Sequence, residues 1–160
     1  MPTLPDFRLE THFAKWEFSA RYHLTASDAE SMSLPELLSL ASDADRAAFE
    51  TMWLGYTETY GAPDLREAIA ATYARQDANH VLCFAGASEG IFAANQVLLE
   101  PGDHAIVVTP NYQSHEALPA SIGGVTGVPL DPEDDWSLDI DRVAAAIQPK
   151  TKLITINFPH

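Results

Sequence analysis

Residues 81–90 read VLCFAGASEG, and residues 104–114 read HAIVVTPNYQS. In both, a run of strand-like apolar residues hands over to small or polar residues that open a helical pattern. Val81 to Phe84 is expected to be a short buried strand. The following SEGIFAANQVLLE (88–100) is expected to be a helix, apolar over a wide face and ended by Pro101-Gly102. His104 to Thr109 is almost continuously apolar, the pattern of a strand covered on both faces.

Outward from this centre the alternation continues. YQSHEALPASIGG (112–124) reads as a helix that Pro119 breaks or kinks, and GVTGVPL (124–130) as a second strand. DPEDDWSLD (131–139) is an acidic turn, read as a solvated loop rather than a cation site. A helix with Asp139 or Asp141 near its start follows, and then the apolar strand TKLITINF (151–158). Upstream, PDLREAIAATYARQ (63–76) has Leu65, Ala68 and Ile69 on one helical face, with Pro63 in the first turn, where its missing N–H costs nothing. SLPELLSLA (33–41) is a short helix with Ser33 as N-cap and Glu36 completing a capping box, and DRAAFETMW (45–53) is another. The first 30 residues lack a clear period and read as an extended arm with one short helix. Strand and helix alternate from residue 63 onward, which is the signature of a mostly parallel sheet covered by helices. The fold class is α/β, a three-layer sandwich preceded by an N-terminal arm.

The 160 residues suit one domain with a real core. Nine basic against 23 acidic side chains give a net charge of −14, which argues against nucleic acid or an anionic membrane as partner. Cys83 is the single cysteine, so no intrachain disulfide forms, and its place in an apolar run reads as core filling. MPTLPDFRLE has none of the basic-then-apolar character of a signal peptide, and no apolar segment approaches the roughly 20 residues of a membrane helix. The expectation is a soluble, cytoplasmic protein.

A helix that begins at the end of a parallel strand offers free N–H groups and a positive dipole end to an anion. Gly86 lets the backbone approach a ligand closely, Ala87 leaves room, and Ser88 adds a hydroxyl. On these residues alone a phosphate seat and a plain turn with Ser88 as N-cap both stand. Two nucleotide motifs do not fit: the glycines stand as G-A-S-E-G rather than G-x-G-x-x-G, and no Gly-Lys-Ser/Thr triplet occurs.

Several motifs in one order narrow the choice. AGASEGIFAANQVLLEPGDHAIVVTPNYQSHEAL, then VPLD, a helix and PKTKLITINFPH, with YTETYGAPDLREAIA upstream, resembles the large domain of the class I/II aminotransferases, fold-type I pyridoxal-phosphate enzymes. The resemblance runs from about Leu54 to His160. It implies an N-terminal arm and the start of a small domain over 1–53, and the first part of a pyridoxal-phosphate-binding large domain over 54–160. It places Gly86, Ala87 and Ser88 at the cofactor phosphate and Tyr112 in PNY where a ring stacks on the pyridine. Tyr56, five residues before Gly61, matches the tyrosine that reaches the cofactor phosphate of a neighbouring subunit, which implies a homodimer; Tyr60 is the alternative for that role.

The same family is more than twice as long, and its Schiff-base lysine, the acidic partner of the pyridine nitrogen and the substrate arginine lie in the part this sequence lacks. None of Lys15, Lys150 and Lys152 sits where the family has its lysine, so no catalytic residue is assigned. Asn157 is likewise left unassigned, because the family's cofactor asparagine belongs to an Asn-Pro-Thr-Gly motif expected just after His160. The sequence thus reads as the N-terminal portion of an aminotransferase acting on an amino acid and a 2-oxo acid. A lyase of the same fold and a non-catalytic cofactor-binding or interaction module are the alternatives. The 160 residues alone are expected to be inactive and poorly soluble unless a partner completes the sheet.

Overall fold

The computed structural model describes residues 4–158, so Pro159 and His160, where the last motif leads, lie outside the described residues. The chain divides into two units. One takes the residues up to Ser19 together with those from Phe84 onward, and the other is Ala20–Cys83. The boundary read from the sequence, between Trp53 and Leu54, falls inside the second unit.

The first unit is organised by three parallel strands, β1 (His104–Thr109), β2 (Gly124–Pro129) and β3 (Thr151–Thr155), in the order β2-β1-β3. Four consecutive residues of the central strand, Ala105 to Val108, are at most 1% exposed, as a continuous apolar run requires. Ile106 and Val108 pack with Val128, Leu130 and Val143, with Leu138 and Ala146 against the edge of that cluster. Val143 comes from α7 (Ile140–Ala145), whose N-cap Asp139 accepts from the Arg142 N–H. The chain steps one way from β1 to β2, through α6 (Gln113–Ile122), and the other way from β2 to β3, through α7. Right-handed crossovers therefore set α6 and α7 on opposite faces of the sheet, an α/β layering.

α6 runs through Pro119 without ending there. The proline side chain is fully buried, so its packing offsets the missing N–H. The corner Pro101-Gly102 turns through Gly102 at φ +95°, a conformation that favours glycine. Gly123 meets the Asp103 carbonyl so closely that a Cβ would clash with it, while the neighbouring Gly124 N–H donates to that same carbonyl at 2.8 Å.

The buried His104 ties the N-terminal ends of the three strands together. Its Nδ1 lies 2.8 Å from Thr151 Oγ1 on β3, and its Nε2 lies 2.9 Å from Thr126 Oγ1 on β2 and 3.1 Å from Gln148 Nε2. At the two edges burial drops: β2 is mostly exposed, and β3 alternates, with Ile154 turned outward and Thr155 buried. This unit also contains α1 (Arg8–Trp16) and α5 (Ala87–Leu98).

The second unit is helical: α2 (Leu34–Ser39), α3 (Asp43–Glu50), α4 (Pro63–Ala70) and a 3-10 turn at Ala78–His80. The capping box forms as read. The Ser33 hydroxyl accepts from the Glu36 N–H, and the Ser33 N–H donates to Glu36 Oε2 at 2.7 Å. Hydrogen bonds from Ser33 hold the Glu36 carboxyl below its ordinary range. Ser42 caps α3 in the same way through the Asp45 N–H. The Arg66 guanidinium donates to the carbonyls of Val81 and Ala78, clamping α4 to the 3-10 turn and to the residue that follows it.

Val81 to Phe84 is not a strand, contrary to the sequence reading. The segment has no regular secondary structure, the sheet order includes no partner for it, and the Cys83 N–H donates instead to the Tyr60 carbonyl at 2.9 Å. Leu82 and Phe84 are 50% and 42% exposed. An apolar run becomes a strand only where a neighbour pairs with it.

Candidate functional site

α5 is 12 residues long, about 18 Å at 1.5 Å per residue, and leads through the Gly102 corner into β1. It therefore runs back along the sheet, with its N-terminus toward the C-terminal ends of the strands. Ala87 accordingly lines one cavity with Thr155, the last residue of β3, and Ile156, which follows it. Three residues separate the end of β1 from the start of α6, the last of them Tyr112, its N-cap residue. Ala87, Ser88 and Tyr112 thus stand at the same end of the sheet, the end where parallel α/β sheets bind ligands.

The N-terminus of α5 has the features of an anion seat. Its N-cap residue is Gly86, not Ser88, and no side chain caps it. Gly86, Ala87 and Ser88 are all exposed. Gly86 is in an extended conformation open to any residue, and a Cβ there would meet nothing within 4 Å. Glu89, the one acid in the first turn, turns its Oε2 back to the Ala85 N–H at 2.9 Å. The Ala87 and Ser88 N–H groups and the Ser88 hydroxyl have no partner among the described residues. A phosphate fits this arrangement: free N–H groups, an added hydroxyl and the positive end of a helix dipole.

Tyr112 is half-buried and braced. Its N–H donates to Asn111 Oδ1 at 2.8 Å, Asn111 Nδ2 donates to the Val108 carbonyl at 2.8 Å, and the Asn111 N–H donates to Glu116 Oε1 at 3.1 Å. Its ring lies 5.2 Å from that of Phe7, tilted by 57°. Tyr56 belongs to the second unit and is fully exposed, as is most of the loop around it. Tyr60 is also exposed, with the Arg66 guanidinium 5.8 Å from its ring.

The lysines are placed elsewhere. Lys150 and Lys152 stand at the N-terminal end of β3, opposite the α5 N-terminus, and Lys15 lies in α1 with its ammonium 4.6 Å from the Trp16 ring. Among the described residues no group of His, Cys, Asp and Glu is arranged to hold a metal ion, and the acidic stretch from Asp131 is a 3-10 turn (Pro132–Asp134) in a mostly exposed loop. No described helix is long and apolar enough to cross a membrane.

Sequence reasoning did not anticipate the polar set in the cavity that Ala87 borders. This cavity, of about 430 Å³, is walled by Gly90, Ile91 and Ala94 of α5 and by Leu153, Ile154 and Ile156. Asn95, His115 and Thr155 also line it, and each has a buried side-chain atom, Oδ1, Nδ1 and Oγ1 respectively, without a partner among the described residues. Burial pushes the His115 imidazole below its ordinary value of 6.5. The signal available was a histidine three residues after Tyr112, one helical turn into α6.

A family model described as aminotransferase class I and II matches residues 24–160. The arginine–pyruvate transaminase of Pseudomonas aeruginosa is 35% identical over 124 residues, a match covering 72% of this chain and 32% of that protein. The capreomycidine synthase of Streptomyces vinaceus is 30% identical over 163 residues, covering 98% of this chain and 41% of that protein. Among solved structures, a PLP-dependent aminotransferase from Streptococcus suis 89-1591 superposes with a TM-score of 0.85 at 28% identity, over 95% of this chain and 42% of that one. The chain spans about a third of the length of the first curated relatives it matches. With the parallel sheet and the order of motifs, these matches show that the chain belongs to the aminotransferase class I and II family.

Proposed function

We propose that these residues form the phosphate and ring seat of a pyridoxal-phosphate-dependent aminotransferase, which moves an amino group between an amino acid and a 2-oxo acid. The observation that carries this reading is the uncapped, exposed N-terminus of α5, with Ser88 in its first turn, at the same end of the sheet as Tyr112. When bound, pyridoxal phosphate supplies an electron sink that stabilises charge developing at the substrate carbon. The chain's own residues do the holding. Gly86 leaves room for the phosphate, the Ala87 and Ser88 N–H groups and the Ser88 hydroxyl bind it, and Tyr112 offers a flat face to the ring. No lysine of this chain is assigned the covalent role.

Losing a hydrogen bond to a charged group costs about 1.5–3 kcal/mol, so Ser88→Ala is expected to weaken pyridoxal phosphate binding about tenfold or more. Absorbance titration of the purified apo-protein measures this, and an unchanged affinity would leave the phosphate seat without support.

A homodimer, with Tyr56 contacting the phosphate held by the other subunit, and a cytoplasmic location go with this reading. The full exposure of Tyr56 supports the first of these. Mixing Tyr56→Phe chains with Ser88→Ala chains tests it. If Tyr56 serves the partner's site, one site of each mixed dimer carries both defects and the other carries neither, so half the sites bind with normal affinity. Their absence in verified mixed dimers rules out the cross-subunit role.

A second reading is a pyridoxal-phosphate enzyme of the same fold with another outcome at the substrate carbon. It is supported by the match to a relative named a synthase, which runs over 98% of the chain, against 72% for the arginine–pyruvate transaminase. Incubation of the purified protein with amino acids and 2-oxo acids separates the two. Transamination yields a new amino acid from the 2-oxo acid, and the second reading yields none.

A further inference from the structure

Gln113, the first residue of α6, spends both ends of its carboxamide on a segment more than 100 residues away in sequence. Its Nε2 donates to the Asp6 carbonyl at 2.8 Å, and the Arg8 N–H donates to its Oε1 at 3.0 Å. One partner only accepts and the other only donates, so the orientation of the amide is set by its partners. Between these two anchors stands Phe7, half-buried, the residue whose ring touches Tyr112. Phe7 is also the N-cap residue of α1, in an extended conformation and with no side-chain cap of its own. The contact is tilted rather than parallel, so Phe7 does not lie flat over Tyr112 as a stacked ring would. Tyr112 is therefore held on its backbone side by Asn111, whose own N–H donates to Glu116, and on its ring side by Phe7.

We propose that Phe7 is a positioning residue for the cofactor ring. It restrains the Tyr112 ring in the orientation that receives the pyridine, and Gln113 fixes Phe7 in place by pinning the backbone on either side of it. Residues 6–8 are on this account a functional part of the cofactor seat rather than a passive leader. The inference rests on the reading of Tyr112 as the stacking ring.

The test is titration of the purified apo-protein with pyridoxal phosphate, following both cofactor absorbance and the circular dichroism induced in the bound cofactor. Phe7→Ala and Gln113→Ala are each expected to raise Kd about two- to tenfold, the range of one aromatic contact, and to diminish the induced signal. Phe7→Tyr, which keeps the ring, restores both. Combining Phe7→Ala with Tyr112→Ala is expected to be no worse than Tyr112→Ala alone, because the first residue acts through the second. Should Phe7→Ala not fold, Phe7→Leu keeps the apolar bulk without the ring and is read in the same way. If Tyr112→Ala weakens binding while Phe7 variants leave Kd and the induced signal unchanged, or if the two defects add, the positioning role is wrong and the cofactor seat stands. If Tyr112→Ala itself leaves Kd unchanged, the underlying reading fails and the positioning role fails with it.

Discussion

The unit built around β1 and the unit Ala20–Cys83 stabilise their secondary structure in different ways. Around β1, burial dominates: Ala105 to Val108 are sealed, Val128, Leu130 and Val143 pack on Ile106 and Val108, and Leu118 is buried as well. In Ala20–Cys83 the only buried residue among those described is Ala70, while Leu24, Leu40, Trp53, Leu54 and Tyr56 are exposed. What this unit has is local chemistry, namely the Ser33–Glu36 capping box, the Ser42 cap and Pro63 in the first turn of α4. Its helices are six to eight residues long, well below the roughly 12–15 at which an isolated helix holds in water. Caps decide where a helix starts, and burial decides whether it persists.

That contrast is sharpened by paired truncations. Ile106→Ala removes a fully buried side chain from the centre of the sheet and is expected to cost about 2–5 kcal/mol in denaturant unfolding. Leu40→Ala, in the capped but open unit, is expected to stay within about 0.5 kcal/mol. Equal losses at the two positions would mean that Leu40 is buried in the folded protein in solution, and the contrast would collapse.

A smaller effect comes from His115, and its sign follows from burial. Both states are neutral well above 6.5, the ordinary histidine value. As pH falls through that value the unfolded chain takes up a proton that the folded protein resists, so stability drops until pH passes below the depressed folded value. Unfolding midpoints at about pH 7.5 and pH 5.5 are expected to differ more for the unaltered protein than for His115→Gln. Identical pH dependence of the two would show that the imidazole is not shielded from water.

What was legible in the sequence divides along the same physical line. HAIVVT announced a strand covered on both faces because an unbroken apolar run has no other economical place. Ser33 with Glu36, and Pro101-Gly102, marked helix boundaries because caps and corners are local chemistry, while of Asp139 and Asp141 it is Asp139 that caps α7. VLCF misled, because whether an apolar run is a strand depends on a neighbour that the run itself does not encode. Of the candidate site, motif order made the grouping legible: Ala87, Ser88 and Tyr112 stand at one end of the sheet. The contact of Phe7 with Tyr112 and the clasp of Gln113 were not legible, since they join residues about 105 positions apart and leave no periodic trace. Asn95, His115 and Thr155 were hidden for the same reason, coming from three separate elements to one cavity.

The central claim is that the α5 N-terminus is the phosphate seat and Tyr112 the ring support. A crystal structure of the protein with pyridoxal phosphate bound tests it most directly. The account predicts phosphate oxygens within about 3 Å of the Ala87 and Ser88 N–H groups and of the Ser88 hydroxyl, with the pyridine ring against Tyr112. A cofactor whose phosphate sits away from the first turn of α5, or whose ring does not touch Tyr112, would contradict it.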